Sequence, residues 1–335
     1  MKLVRSLLLI FVLCWLCVFS SKAQLKSSGG STVTYEELYD DPYDIRKLFI
    51  MFQPVYGELF VTNINVGFGL EAQYYHLNKF DFRAHFRKAY SQKFDLERDV
   101  AENNQDLQNV PKNFSFLEFG GTYHIADKEE TQETKMILYS DRYKGRKWAS
   151  KVPDYIKIPS KVRKIYGGRL GFFSFQSSTD LKRATEKQGV TLVDENQLAL
   201  DSTISVFSNV RSTGFYLGGS LAILKNFAVR PEKTYNDLVS DLIFTVYLDI
   251  LIAPSVAVDD VVYNNNVYSS DVLNTNTLGI RGGLEGKFNR KLGWAYNAEM
   301  GFRPSLTNRG FYLLVKISIP VLATDLKYSK EAFGK

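Results

Sequence analysis

Cysteine is almost missing from this chain. Its only two copies, Cys14 and Cys17, lie within the first 23 residues. Once that stretch is set aside, no disulfide, thiolate nucleophile or thiolate metal site remains. Histidine is nearly as scarce, with His76, His85 and His124 alone. A Ser-His-acid hydrolase needs one of them beside a serine and an acidic or amide orienter. His85 and His124 share a strand face with carboxylates, but no serine on an adjoining strand stands out. No HExxH and no P-loop sequence occurs. The acidic pairs Asp40-Asp41 and Asp259-Asp260 read as solvated loop residues. No enzyme, no metal site and no cofactor is therefore expected. A long apolar run is also lacking after residue 23, which excludes a membrane-spanning helix there. Charge of one sign is lacking too. Lys2, Arg5 and Lys22 account for half of the formal +6, leaving 39 basic against 36 acidic residues. That near-balance argues against a nucleic-acid partner.

The first residues, Met-Lys-Leu-Val-Arg, precede an apolar run from Ser6 through Phe19 and then Ser21-Lys22-Ala23. A basic start, a short apolar core and small residues before Gln24 predict a cleavable signal peptide over 1–23. The run is short for a spanning helix. Neither cysteine has the setting of a lipoprotein signal. Residues 24–46 are polar and acidic and read as a periplasmic arm with at most a short helical turn.

Aromatics are plentiful, at 14% of the chain with 20 Tyr and 24 Phe. The last three hydrophobic stretches, 277–288, 292–303 and 310–320, explain why. In the first, Leu278, Ile280, Leu284 and Phe288 alternate with Arg281, Glu285, Lys287 and glycines. In the second, Trp294, Tyr296, Ala298, Met300 and Phe302 alternate with Asn297, Glu299, Gly301 and Arg303. Strand side chains point to opposite faces with period two, so each stretch has one greasy and one polar face. Each also has about the 9–11 residues that a tilted strand needs to cross a bilayer. Only helices and closed barrels satisfy their backbone groups in lipid. The prediction is an all-β fold, an antiparallel transmembrane β-barrel over 47–320 of about 12 strands, with 10 and 14 left open. A polar C-terminal tail over 321–335 follows.

The earlier strands follow the same rule. Strands are expected at 47–56 (interrupted by Pro54), 63–75, 80–90, 114–125, 134–143, 162–175, a short one at 204–208, 214–224 and 238–252. Residues 63–75 and 80–90, joined at Leu77-Asn78-Lys79, form the clearest hairpin. Residues 91–112 read as a long loop, 126–133 as a polar turn, 180–187 as a helix within a long connection, and 258–268 as a hairpin around Asn264-Asn265-Asn266. Loops 254–276 and 304–309 are expected outside, with both termini in the periplasm. On this count loop 91–112 falls to the periplasmic side, which points to a miscounted strand between 144 and 211.

If the apolar face meets lipid, the charged face lines the interior. The lumen-lining candidates are Glu71, Asp81, Arg83, His85, Arg87, Glu118, Arg169, Asp241, Asp249, Arg281, Glu285, Lys287, Glu299 and Arg303. They fit either a network of paired charges filling a small barrel or a water-filled pore. The inward glycines Gly67, Gly69, Gly279, Gly283, Gly293 and Gly301 relieve crowding on curved strands. Tyr74, Tyr75, Trp294, Phe302, Phe311 and Tyr312 are expected in an interfacial aromatic girdle. A tight turn at 289–291 sets Arg281 opposite Glu299 and predicts that they pair.

The closing segment Gly310-Phe-Tyr-Leu-Leu-Val-Lys-Ile-Ser-Ile-Pro resembles the last strand of Bacteroidota outer-membrane β-barrel proteins. The Ala23-Gln24 junction is similar to the signal cleavage sites of that phylum, and Asp41-Pro-Tyr-Asp-Ile-Arg-Lys-Leu-Phe resembles the entry into uncharacterised members. The resemblance implies the fold and the outer membrane of a Gram-negative bacterium, and it transfers no catalytic residue. Such barrels commonly end on an aromatic residue, whereas here a polar tail continues, which favours a partner for the tail. Two functions follow as expectations: a channel for small polar solutes, or a non-conducting accessory barrel of a secretion, assembly or gliding complex. The expected partners are outer-membrane lipid and, for the second, periplasmic or outer-membrane proteins.

Overall fold

The computed structural model describes residues 34–60, 63–91, 105–137, 155–231, 237–290 and 293–324. The expected signal peptide, residues 138–154 and the tail from 325 lie outside the described residues. In chain order, the first elements are strands β1 (Tyr35–Asp40), β2 (Leu48–Phe60), β3 (Asn63–His76), β4 (Phe80–Ala89), β5 (Ser115–Ile137) and β6 (Tyr155–Asp180). Helix α1 (Leu181–Gln188) comes next, then β7 (Phe207–Leu224), β8 (Phe227–Pro231), β9 (Leu238–Ser240) and β10 (Leu242–Val258). The last are β11 (Val261–Tyr263), β12 (Asn266–Tyr268), β13 (Thr275–Asn276), β14 (Leu278–Phe288), β15 (Ala295–Phe302), β16 (Ser305–Leu306) and β17 (Phe311–Ala323).

Ten of these strands close a barrel in the order β2-β3-β4-β5-β6-β7-β10-β14-β15-β17, with β17 pairing back onto β2. Every neighbouring pair is antiparallel, so the chain runs up and down around the ring. The strand number is ten, one of the two alternatives left open beside twelve. Residues 115–137 form one strand, so the expected turn at 126–133 is strand and 134–137 continues it. Residues 204–206 precede β7, and 207–208 are its first two residues. Beyond the barrel rim β5 and β6 pair only with each other, from Glu130↔Val162 to Ile137↔Tyr155. There the outer face carries exposed charges such as Glu133, Lys135, Lys157 and Lys161, while Met136, Ile158 and Val162 on the other face are buried, so no apolar outer face marks the continuation as strand.

Pro54, expected to interrupt its strand, sits inside β2. A register shift between Gln53 and Tyr56 forms a bulge at Pro54, where the missing N–H breaks no ladder bond. The Leu77-Asn78 turn has positive φ at both residues (49° and 55°), with Lys79 N–H donating to His76 O at 3.0 Å. This is the primed turn that matches strand twist. Asn264 and Asn265 repeat it between β11 and β12. Helix α1 starts on Asp180, whose carboxylate accepts from Lys182 N–H, and ends on Gly189 at φ 67°.

The connections that follow β2, β4, β6, β10 and β15 leave from one end of the barrel. Four strands separate 90–114 from 259–277, so loop 91–112 emerges beside the other long loops and not at the opposite end as expected. These loops build a lid with its own apolar core, including Leu181, Leu192, Val206, Val261, Tyr268 and Leu306. The other end carries both chain ends of the barrel. There the expected arm contributes β1, which pairs with β8, and β8 pairs with β9 in a three-stranded sheet. Residues 35–40 are therefore strand rather than mobile arm or helical turn. Residues 321–323 likewise belong to β17 and not to the tail.

Outward side chains are apolar, and aromatic pairs mark both rims. Phe80–Tyr123 (5.2 Å between ring centres) and Trp294–Tyr296 (5.6 Å) lie toward the end with the chain termini; Phe302–Phe311 (5.5 Å) and Phe68–Tyr90 (5.5 Å) lie toward the loop end. Two expected members of this girdle face inward instead. Tyr75 and Tyr312 are buried, the latter completely.

Candidate functional site: the occluded lumen

The alternation that sends Ile280, Leu284 and Leu248 outward sends their neighbours into the barrel, and all fourteen expected lumen residues are there. Arg83 is half-buried; the others are buried. They are stacked in layers along the barrel, and apolar layers close both ends of the charged zone.

Below the lid lies an aromatic layer that includes Tyr56, Phe60, Phe114, Phe116, Phe175 and Tyr312. The Arg303 guanidinium sits within it, 3.8 Å from the Tyr312 ring centre and 5.2–5.6 Å from Phe60, Phe114, Phe116 and Phe175. Both its terminal nitrogens donate to Glu58, at 2.8 Å each. Glu58 also accepts from Arg87 at 3.0 Å, so one carboxylate holds two guanidinium groups. Cation–π contact and a bidentate pair compensate the desolvation of Arg303.

The central layer is built around Arg281. Its Nη2 donates to Glu118 Oε1 at 3.1 Å and its Nε to Asp249 Oδ2 at 2.8 Å. Asp249 accepts in turn from Arg169 at 2.9 and 3.2 Å. The expected Arg281–Glu299 pair forms, but as a loose ion pair between residues that are not directly opposed. Arg281 lies opposite Gly301, and Glu299 opposite Gly283. The connection from Phe288 to Ala295 is longer than the assumed three-residue turn and shifts the register by two. Glu299 keeps a 3.9 Å approach to Arg281 but accepts its short bonds from the hydroxyls of Tyr247 and Tyr312, at 2.6 Å each. Gly283 makes room for Tyr247: a Cβ there would lie 2.5 Å from its ring. Gly120 and Gly171 do the same for Tyr216.

Further along, Arg83 forms a bidentate pair with Glu285 (2.7 and 2.9 Å), and Lys316 pairs with Glu71 at 2.8 Å. Gln53 Nε2 donates to Glu71 at 3.0 Å and stands 3.1 Å from His85 Nε2; Lys287 donates to Gln73. Beside this layer lies a cavity of about 10 Å³ lined in part by Glu71, Glu285, Asn297, Lys316 and Ser318. That holds about one water. A second apolar layer follows, with Phe49, Met51, Tyr75, Ile165, Leu224 and Ile243.

At the rim near the chain termini, Asp81 accepts from Thr122 and approaches His124 at 3.4 Å, while the other nitrogen of His124 faces Asn78 O at 2.9 Å. Both ring nitrogens are thus engaged, and no serine completes a relay. Arg290 pins the N-terminal segment. It bonds Asp44 Oδ2 at 2.8 Å and Asn226 Oδ1 at 2.7 Å, and lies 3.9 Å from the Tyr39 ring centre. Its backbone N–H donates to Asp241, which is therefore apart from the central network. Burial pushes the Tyr39 hydroxyl up to about 12, against the opposing pull of Arg290. Among the described residues no cluster of His, Cys, Asp and Glu could hold a metal ion.

Sequence reasoning missed Glu58, Lys316, Gln53, Tyr216, Tyr247 and Tyr312 as interior partners. Lys316 was legible, being the one charge in 310–320. Glu58 was hidden because Pro54 obscured the parity of its strand.

No protein-family model matches the sequence, and no curated protein matches it. Among solved structures, the CymD monoaromatic hydrocarbon channel matches over 82% of this chain and 88% of its own, at 7% identity and a TM-score of 0.23.

Proposed function

We propose that this chain is an outer-membrane β-barrel protein of a Gram-negative bacterium whose lumen is a packed ionic core, and that it serves as a non-conducting accessory barrel in an envelope complex. The observation that carries this reading is the Arg281 side chain, 3% exposed and bonded to Glu118 and Asp249 between two apolar layers. An aqueous path would have to pass through those bonds. The apolar outer wall with aromatic pairs at both rims supports a bilayer setting. Short turns and both chain ends then lie in the periplasm and the lid outside. The sheet β1-β8-β9 and the hairpin that continues β5 and β6 would offer a periplasmic protein partner a folded surface. The test is single-channel recording of purified protein in a planar bilayer. Silence, together with co-purifying envelope proteins, is expected; a steady open level overturns the accessory reading.

A channel for small polar solutes is the second reading. It is favoured by the mixed charges on the inner wall, since a purely structural core is often as stable with apolar residues of similar volume. It requires the lid, the aromatic layer and the Arg303–Glu58 pair to move together.

A further inference from the structure

The outer wall is not uniformly covered. Across β3 to β7 runs a furrow of about 670 Å³. Its floor is Ala72, Ala84 and Gly121, and Tyr74, Phe82, Phe119, Leu170, Phe172 and Phe215 rise around it. The small residues come together through register, Ala72 opposite Ala84 and Phe82 opposite Gly121. An open furrow lined by aliphatic and aromatic side chains suits a hydrocarbon chain better than a polar solute.

What lies beyond it toward the lid departs from the apolar rule. Two residues past Phe172 and Phe215, Ser174 and Thr213 face outward and bond each other at 3.0 Å. Two residues further, Lys88, Ser115, Gln176 and Arg211 form one row across β4 to β7. This row stands ~13 Å along the strands from the furrow, at 3.4 Å per residue. Arg211 bonds Asp259 at 2.7 Å and Lys112 approaches the same carboxylate at 3.9 Å, so one anion serves two cations. Lys88 is exposed and pairs with no acid among the described residues. Apolar furrow, hydroxyl pair and cationic row thus succeed one another along the strands, as tail, linkage and phosphate do in an amphiphile.

We infer that this wall binds one phosphorylated lipid of the lid-side leaflet, its tail in the furrow and its phosphate at the row of Lys88 and Arg211. The inference rests on the bilayer placement proposed above and adds a specific ligand class to it. The full-length mature protein in dodecylmaltoside is mixed with dioleoyl phosphatidic acid or with dioleoylglycerol, and retained adducts are counted by native mass spectrometry. Wild type should retain one phosphatidic acid and little dioleoylglycerol. Ala84→Leu, which fills the furrow from its outer face, should lower occupancy at least tenfold. Lys88→Gln should lower it several-fold, and Val315→Leu, on the exposed wall of β17, should leave it unchanged. Equal retention by Ala84→Leu and Val315→Leu overturns the site, as does equal retention of the two lipids. A protein that stays soluble and monodisperse without detergent overturns the bilayer placement itself, and is recognised before any lipid is added.

Discussion

Arg281 on β14 and Glu118 on β5, 163 positions apart in sequence, meet across the lumen through two hydrogen bonds. Their strands are four steps apart around a ring of ten, so the pair is a chord of the barrel rather than a rung between neighbours. Both groups are buried, and a further bond from Arg281 to Asp249 fixes the orientation of the guanidinium. A buried pair of this kind costs more to break from one side than it contributes as a pair.

Arg281→Gln should therefore destabilise the barrel by about 3–5 kcal/mol, because Glu118 and Asp249 lose their shared cation. In a double-mutant cycle with Glu118→Gln the coupling should exceed about 1 kcal/mol. The same cycle with Glu299→Gln should give a smaller value, since that carboxylate is bound chiefly by two tyrosine hydroxyls. Urea unfolding in detergent reads both, and equal couplings would contradict the observed register.

Among the described residues, Glu58 is the one carboxylate bonded to both Arg303 and Arg87. Glu58→Gln should cost more stability than Arg87→Gln, by ~1 kcal/mol or more, since it strands two buried cations instead of freeing one carboxylate that keeps a partner. Heat-modifiable gel mobility of the two variants gives the order directly.

The lid should loosen in acid. Asp259 is desolvated, which alone would raise its pKa, but hydrogen bonds from Asn209 and Arg211 and the nearby Arg211 charge outweigh this and hold it below the ordinary aspartate value. A carboxylate with a depressed folded pKa contributes stability that is fully present above its unfolded pKa and is lost as pH falls through the folded one. Proteolysis within 259–277 should accordingly be slow at neutral pH and rise below about pH 4, where an unfolded aspartate protonates. Asp259→Asn should remove that pH dependence while leaving the barrel strands protected.

Cysteine labelling tests the placement of the ends. Asn265→Cys, in the β11–β12 turn, should react with an impermeant maleimide on intact cells. Asn78→Cys, in the β3–β4 turn, should react only after the outer membrane is opened. The reverse pattern would invert the barrel.

The sequence by itself determined the inside and the outside. From Ile64 to Ala89 and over Leu278–Phe288 and Ala295–Phe302, period-two alternation assigns nearly every side chain to the correct face, because an apolar outer wall and a polar lumen select opposite residue types at successive positions. It also determined the two primed turns and the helix after Asp180, which depend on local chemistry alone. Strand number was decided by the tertiary structure. Residues 126–137 look like a turn followed by a new strand because, past the barrel rim, pairing with β6 continues without an apolar outer face to mark it. Partner choice was decided there as well. Arg281 shares the inner face with many carboxylates, and only closure of the ring through β17 and β2 brings Glu118 across to it. Tyr75 and Tyr312 differ in the same way: an aromatic residue near a strand end suits a membrane girdle or an inner layer equally, and the register of the closed barrel turned both inward.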